Sequence, residues 1–156
     1  MPPVTLASLL RSGPVELGLR ATTKAEALDA LVALAAGRPE VQDPGRLRAD
    51  VAAREALMST GVGDGLALPH ARTPAVTRTV AALATLAQPL DWGALDGEPV
   101  TLVLLLAGPE GDRAAHVRLL ARVSRVLSAA SVRAELAAAA SADDLRAVVD
   151  AAEQAG

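Results

Sequence analysis

Two histidines, His70 and His116, an arginine within an apolar helical spacing, Arg54, and the glycine-rich run STGVGDGLALPHA at 59–71 are the parts of this chain best suited to chemistry. A neutral imidazole carries a lone pair that can attack phosphorus, and an ordinary histidine is half neutral near pH ~6.5. Gly61, Gly63 and Gly65 can take positive φ or turn backbone amides inward as a nest for an anion of charge about −2. Rigid Pro69 then presents His70 beside that nest. Read by itself, the same stretch also fits a tight turn that happens to end in histidine.

Other readings of the glycines lack their context. No GK[ST] follows them, so the run is not a P-loop, and it follows a predicted helix without opening one, so it is not a dinucleotide fingerprint. With two widely separated histidines and no cysteine, no zinc-ligand spacing is present, and no metal or cofactor is expected.

Asp43-Pro44 has the chemistry of a helix start, and the helix is predicted to run to about Ser59 with Leu47, Val51 and Met58 facing the core. Arg54 falls in that same spacing. Its stem could cover the core while the guanidinium reaches solvent, or the group could point from the helix end toward an anion. His116 lies in the first turn of a helix predicted from about Arg113 to Ser128, capped by Asp112, on the inner side with Leu120, Val123 and Leu127. The positive end of a helix dipole favours a neutral histidine there, able to donate through one N–H, although such a residue can equally be a satisfied buried histidine. The apolar run VTLVLLLAG at 100–108 reads as a central strand that delivers this helix start to its own C-terminal edge, where open α/β sheets gather ligands. Arg54, His70 and His116 are therefore expected to converge.

Around these residues, a short helix is predicted at 5–11 and a strand at 15–19, with a break at Gly13-Pro14 between them. A helix capped by Thr22 or Thr23 follows, with Thr23 and Glu26 at capping-box spacing, a stripe of Leu28, Leu31 and Leu34 or Ala35, and a stop at Gly37. Strands are expected at 66–68 and 76–87, and a turn-rich stretch at 89–99 holds Trp92 as a plug over the core edge. Helices at 131–140 and 141–153 close the chain, the last with Ser141 and Asp144 at capping-box spacing. The fold class is α/β: one domain over 1–156, with a sheet of four to five strands flanked by helices on both faces.

Composition bounds the partners. Hydrophobic residues make up 51% of the 156 residues, with no Phe, Tyr or Ile and one Trp, so Leu, Val and Ala must fill the core. The net charge is −3 and Lys24 is the sole lysine among 15 basic residues, so there is no basic tract interleaved with aromatics and no nucleic-acid partner is expected. The start MPPVTLASLL does not read as a signal peptide, and the longest strongly apolar run is too short to cross a bilayer. A cytoplasmic protein without membrane insertion is expected.

The stretch REALMSTGVGDGLALPHA at 54–71 resembles the active-site signature of enzyme IIA domains of the fructose and mannitol type in the bacterial sugar phosphotransferase system, a group that includes the nitrogen-regulatory IIA protein. The likeness extends over PLDWGALDGEPVTLVLLLAGP and the later histidine ahead of LLARVSRVL. The resemblance implies a mixed central sheet between helices and a phosphotransferase component working as a phosphohistidine relay. His70 would be phosphorylated at Nε2 by the phosphohistidine of an HPr-type carrier and pass the group to a IIB partner. His116 would assist by hydrogen bonding to the phosphoryl oxygens, Arg54 would neutralise them, and the acidic Asp64, which matches a common family pattern, would shape or contact the loop. Sugar uptake of the fructose or mannitol type is the implied role. A regulatory protein whose phosphorylation state controls binding to transporters or kinases is the alternative.

Overall fold

A computed structural model describes residues 4–11, 14–111 and 113–155. The elements run α1 (Leu6–Leu9), β1 (Val15–Leu19), α2 (Lys24–Ala35), α3 (Pro44–Leu57), β2 (Gly61–Gly63), β3 (Leu66–Ala67), β4 (His70–Arg72), β5 (Val80–Leu90), β6 (Val100–Gly108), α4 (Arg113–Ser128), α5 (Ala130–Ala138) and α6 (Ala142–Ala155). The break expected at Gly13 and the cap expected at Asp112 lie outside the described residues.

β6 is the centre of a mixed sheet because neither of its faces is polar. Leu102, Leu104 and Leu106 enter one apolar cluster with α1, α4, α5 and α6, while Val103, Leu105 and Ala107 enter another with α2 and α3. The sheet runs β1-β5-β6-β3-β2, with β4 also paired to β6. β5 lies antiparallel to β6, whereas β1 runs parallel to β5 and both β3 and β4 run parallel to β6. β3 and β4 are two pieces of one path along β6, separated at Leu68-Pro69, and they place His70 opposite Leu106 near the strand's C-terminal end.

The described residues form six strands rather than four to five, because the glycine run is itself sheet. Gly61–Gly63 pairs antiparallel with Leu66–Ala67 around an Asp64-Gly65 turn. Both turn residues have positive φ, +58° and +84°, as a type I′ hairpin turn requires and as an Asp-Gly pair tolerates. β5 begins later than predicted and continues through Pro89 to Leu90, so its far end takes residues assigned above to the turn-rich stretch. Trp92 is not at the core edge but fully buried.

Local chemistry fixes the helix starts. Asp43 accepts a hydrogen bond from the Arg46 amide, Thr23 from that of Glu26, and Ser141 from that of Asp144. Glu26 does not complete the capping box; its carboxylate accepts from the Thr22 hydroxyl instead. α3 stops at Leu57, two residues short of Ser59, and Met58 turns out extended and exposed. The inward position expected of Met58 falls to Glu55, four residues after Val51.

A carboxylate ties α6 to the start of α1. Both oxygens of Glu153, on α6, accept from the first amides of α1, those of Leu6 and Ala7, each at 2.7 Å. Replacing Glu153 with Ala is expected to lower unfolding stability by about 1–2 kcal/mol, the usual cost of losing a helix cap, measured by urea denaturation.

Candidate functional site

The site forms where the end of α3, the start of α4 and the interrupted path β3–β4 meet. Pro69 ends the pairing of β3, and His70 resumes it on β4 with its ring half-buried. The His70 Nδ1 lies 2.8 Å from the Leu68 carbonyl oxygen. A carbonyl can only accept, so Nδ1 must carry the proton and Nε2 keeps its lone pair. The Leu68 amide donates in turn to the Thr60 carbonyl at 2.9 Å, which ties the histidine support to the hairpin.

His116 sits in the first turn of α4 and is buried, its ring centroid 6.0 Å from that of His70 with the planes tilted by 48°. Neither of its ring nitrogens has a hydrogen-bond partner among the described residues. Its Nδ1 packs on the backbone of Gly108: a Cβ at that position would come within 3.0 Å of it and within 3.3 Å of the Thr79 hydroxyl. Glycine at the end of β6 therefore leaves the room that the ring occupies.

Arg54 is in the last turn of α3, where a cation complements the negative end of the helix dipole, and its Nη1 donates to the Met58 carbonyl at 2.9 Å. It lines a cleft of about 750 Å³ together with His70 and His116. Arg72, Arg46 and Arg113 line the same cleft against the carboxylates of Asp50 and Glu110, and Arg46 is already paired with Asp50 at 2.9 Å. The cleft is consequently cationic and suited to an anion. Among the described residues no three His, Asp or Glu side chains group closely enough to hold a metal ion.

The structure thus brings Arg54, His70 and His116 together. Of the glycine-rich residues, Gly61 lines a second opening of about 480 Å³ shared with Arg54 and His70, but Gly63, Asp64 and Gly65 at the hairpin tip line neither cavity. The amides there are committed elsewhere: that of Gly61 donates to Ser59 Oγ, and that of Asp64 to the Asp96 carboxylate. The expected amide nest is a hairpin turn facing Asp96. Sequence reasoning missed Arg72, whose signal was its place two residues after His70 on one strand, and also Glu55.

Both imidazoles are held below the ordinary 6.5. For His70 burial is the main cause and the nearby Arg54 charge adds to it, against the Leu68 hydrogen bond and Glu55, which pull upward. For His116 burial again leads, followed by His70 and Arg72.

With this geometry in view, similarity to known proteins is decisive. The sequence model of the family described as "Phosphoenolpyruvate-dependent sugar phosphotransferase system, EIIA 2" matches residues 8–152. The chain belongs to this EIIA family. EIIA domains are phosphotransfer components of that system. The chain is 34% identical over 149 residues to the 2-O-alpha-mannosyl-D-glycerate-specific EIIABC component of Escherichia coli (strain K12), covering 94% of this chain but only 23% of that protein's length. It is 32% identical over 146 residues to the nitrogen regulatory protein of Pseudomonas aeruginosa, covering 94% of this EIIA chain and 95% of the relative. The crystal structure of nitrogen regulatory protein IIA-Ntr from Neisseria meningitidis superposes with a TM-score of 0.82 at 28% identity, over 87% of this chain and 92% of that one.

The depressed histidine pKa values have a consequence for folding. The unfolded chain binds protons on these rings more readily than the folded one, so their contribution to stability is complete above about pH 6.5 and is lost as pH falls from there through the folded values. Urea unfolding at about pH 7.5 and about pH 5.5 should show stability decreasing toward acid, and a His70→Gln, His116→Gln double variant should show a shallower decrease.

Proposed function

We propose that this EIIA domain is a cytoplasmic phosphoryl carrier that accepts the group on Nε2 of His70 from the phosphohistidine of an HPr-type protein and passes it to a IIB partner. The observation that carries this reading is the Nδ1–H bond to the Leu68 carbonyl, which leaves Nε2 as the atom with a free lone pair. In the acceptance step the N–P bond of the donor phosphohistidine breaks as the His70 Nε2–P bond forms, and the electron pair of the broken bond leaves with the donor imidazole. No proton has to cross between the rings. The proton stays on Nδ1, donated to the Leu68 carbonyl, whose dipole offsets the positive charge that His70 acquires.

Phosphoryl transfer asks the protein mainly for alignment and charge balance. A phosphoryl group brings about −1.5 to −2 of charge at neutral pH. Arg54 and one N–H of His116 are the donors for its oxygens, each such charge-assisted bond contributing about 1.5–3 kcal/mol. Arg54 keeps further N–H donors beyond the one held by the Met58 carbonyl, and the nitrogens of His116 begin without partners among the described residues.

Docking has a surface to use. Leu57, Met58, Val62, Leu95 and Val117 are each more than half exposed and line the two cavities that contain His70, where exposed large hydrophobics otherwise number only Val4 among the described residues. An apolar rim around a cationic centre fits a brief, reversible encounter with a phosphorylated partner. No described helix is long and apolar enough to cross a membrane.

Two physiological roles share this chemistry: fructose- or mannitol-type sugar uptake through a IIB acceptor, and regulation in which the phosphorylation state controls binding to a transporter or kinase. Similarity to the Pseudomonas aeruginosa nitrogen regulatory protein supports the second, and similarity to the EIIABC component supports the first.

Incubation with phosphoenolpyruvate, enzyme I and HPr should add one phosphoryl group to the wild-type chain by intact mass and none to His70→Ala; a normal gain by that variant rejects the assignment. His116→Ala should accept the group but pass it on poorly, and Arg54→Ala should slow acceptance by about 10- to 100-fold in quench-flow. In the same assay Leu95→Asp should raise the KM for phosphorylated HPr several-fold while leaving kcat nearly unchanged, because it alters the rim and not the reacting atoms.

A further inference from the structure

The residue next to Arg54 has a role that its chemistry does not advertise. Glu55 is buried, with 8% of its surface exposed, on the side of α3 that faces the hairpin. Its Oε2 accepts from the Thr60 amide at 2.8 Å and from Lys24 Nζ at 3.0 Å, and its Oε1 accepts from the Thr60 hydroxyl. The same hydroxyl accepts from Trp92 Nε1 at 3.2 Å, and the Lys24 ammonium lies 5.4 Å from the centre of the Trp92 ring. Thr60 is therefore clamped through both its amide and its side chain. Its carbonyl receives the Leu68 amide, and the Leu68 carbonyl receives the His70 Nδ1 proton. A continuous series of hydrogen bonds leads from the Glu55 carboxylate to the His70 ring.

A buried carboxylate loses its hydration and is retained at net benefit only when every oxygen is well partnered. If its purpose were only to join α3 to the hairpin, an apolar residue of similar size would do so without that cost. What an apolar residue could not do is hold a particular amide and hydroxyl in fixed directions. We propose that Glu55 is a positioning residue: by clamping Thr60 it fixes the backbone of Leu68, keeps the proton of His70 on Nδ1, and so presents Nε2 to the phosphoryl donor. This inference rests on the assignment of His70 as the acceptor, and its test separates the two.

Long-range proton–nitrogen correlation spectra of the full chain with labelled histidine report which nitrogen of His70 carries the proton, independently of any relay. The wild-type chain should show the Nδ1–H form. Glu55→Ala should show a mixture of the two tautomers and accept phosphate from HPr about tenfold more slowly, as expected for about 1.4 kcal/mol of lost preorganisation. Glu55→Gln keeps an oxygen for the Thr60 amide and supplies an amide donor to its hydroxyl, so it should restore the Nδ1–H form and most of the rate. A folded Glu55→Ala protein that keeps the Nδ1–H form and the wild-type rate overturns the proposal. Should that variant not fold, Thr60→Val decides: a partial shift of tautomer with slower acceptance supports the clamp, and wild-type values in both refute it. Failure of the wild-type chain to accept phosphate would reject the carrier assignment alone, with the tautomer spectra still deciding the clamp.

Discussion

One hydrogen bond, from Nδ1 of His70 to the carbonyl of Leu68, gives the rest of the site its meaning. An imidazole has two nitrogens of similar basicity, and an unconstrained ring would divide its proton between them. Here the neighbouring backbone takes that choice away. The bond exists because the strand path along β6 is interrupted at Leu68-Pro69, which sets a carbonyl within reach of a side chain only two residues later. The central strand thus supports His70 on its flank and, through the turn at its own end, the helix that brings His116 to 6.0 Å.

The electrostatic design is asymmetric. Two helix termini of opposite polarity meet over the same cleft: the end of α3 carries Arg54, and the start of α4 carries His116. Burial and neighbouring guanidinium groups favour the neutral form of both rings, while the arginines of the cleft keep their charge. The apolar rim lies outside this arrangement and can exclude water at the moment of encounter without burying an arginine beforehand.

Features governed by neighbours in sequence are legible in the sequence itself. The caps at Thr23, Asp43 and Ser141 and the two-faced apolar strand at 100–108 required only local chemistry, and Arg54, His70 and His116 stood out because their types were out of keeping with their surroundings. Glu55 was invisible for the opposite reason. A glutamate on an amphipathic helix reads as solvated, and its burial depends on Lys24, Thr60 and Trp92, two of which are more than thirty residues away. The glycine run misled because strands of two and three residues show no alternation; the Asp-Gly pair was the signal of a hairpin. Met58 was misplaced by extending a helical period past the residue where the helix ends.

The solitary indole offers an experimental opening. Trp92 is wholly enclosed, its nitrogen bound to Thr60 and its face beside the Lys24 ammonium, in a chain that has no tyrosine to add its own emission. Indole fluorescence responds to hydrogen bonding and to nearby charge, so excitation of the unmodified protein observes the threonine on which the histidine's support hangs. The chain carries its own optical gauge of the Thr60 support, with no need for an attached dye.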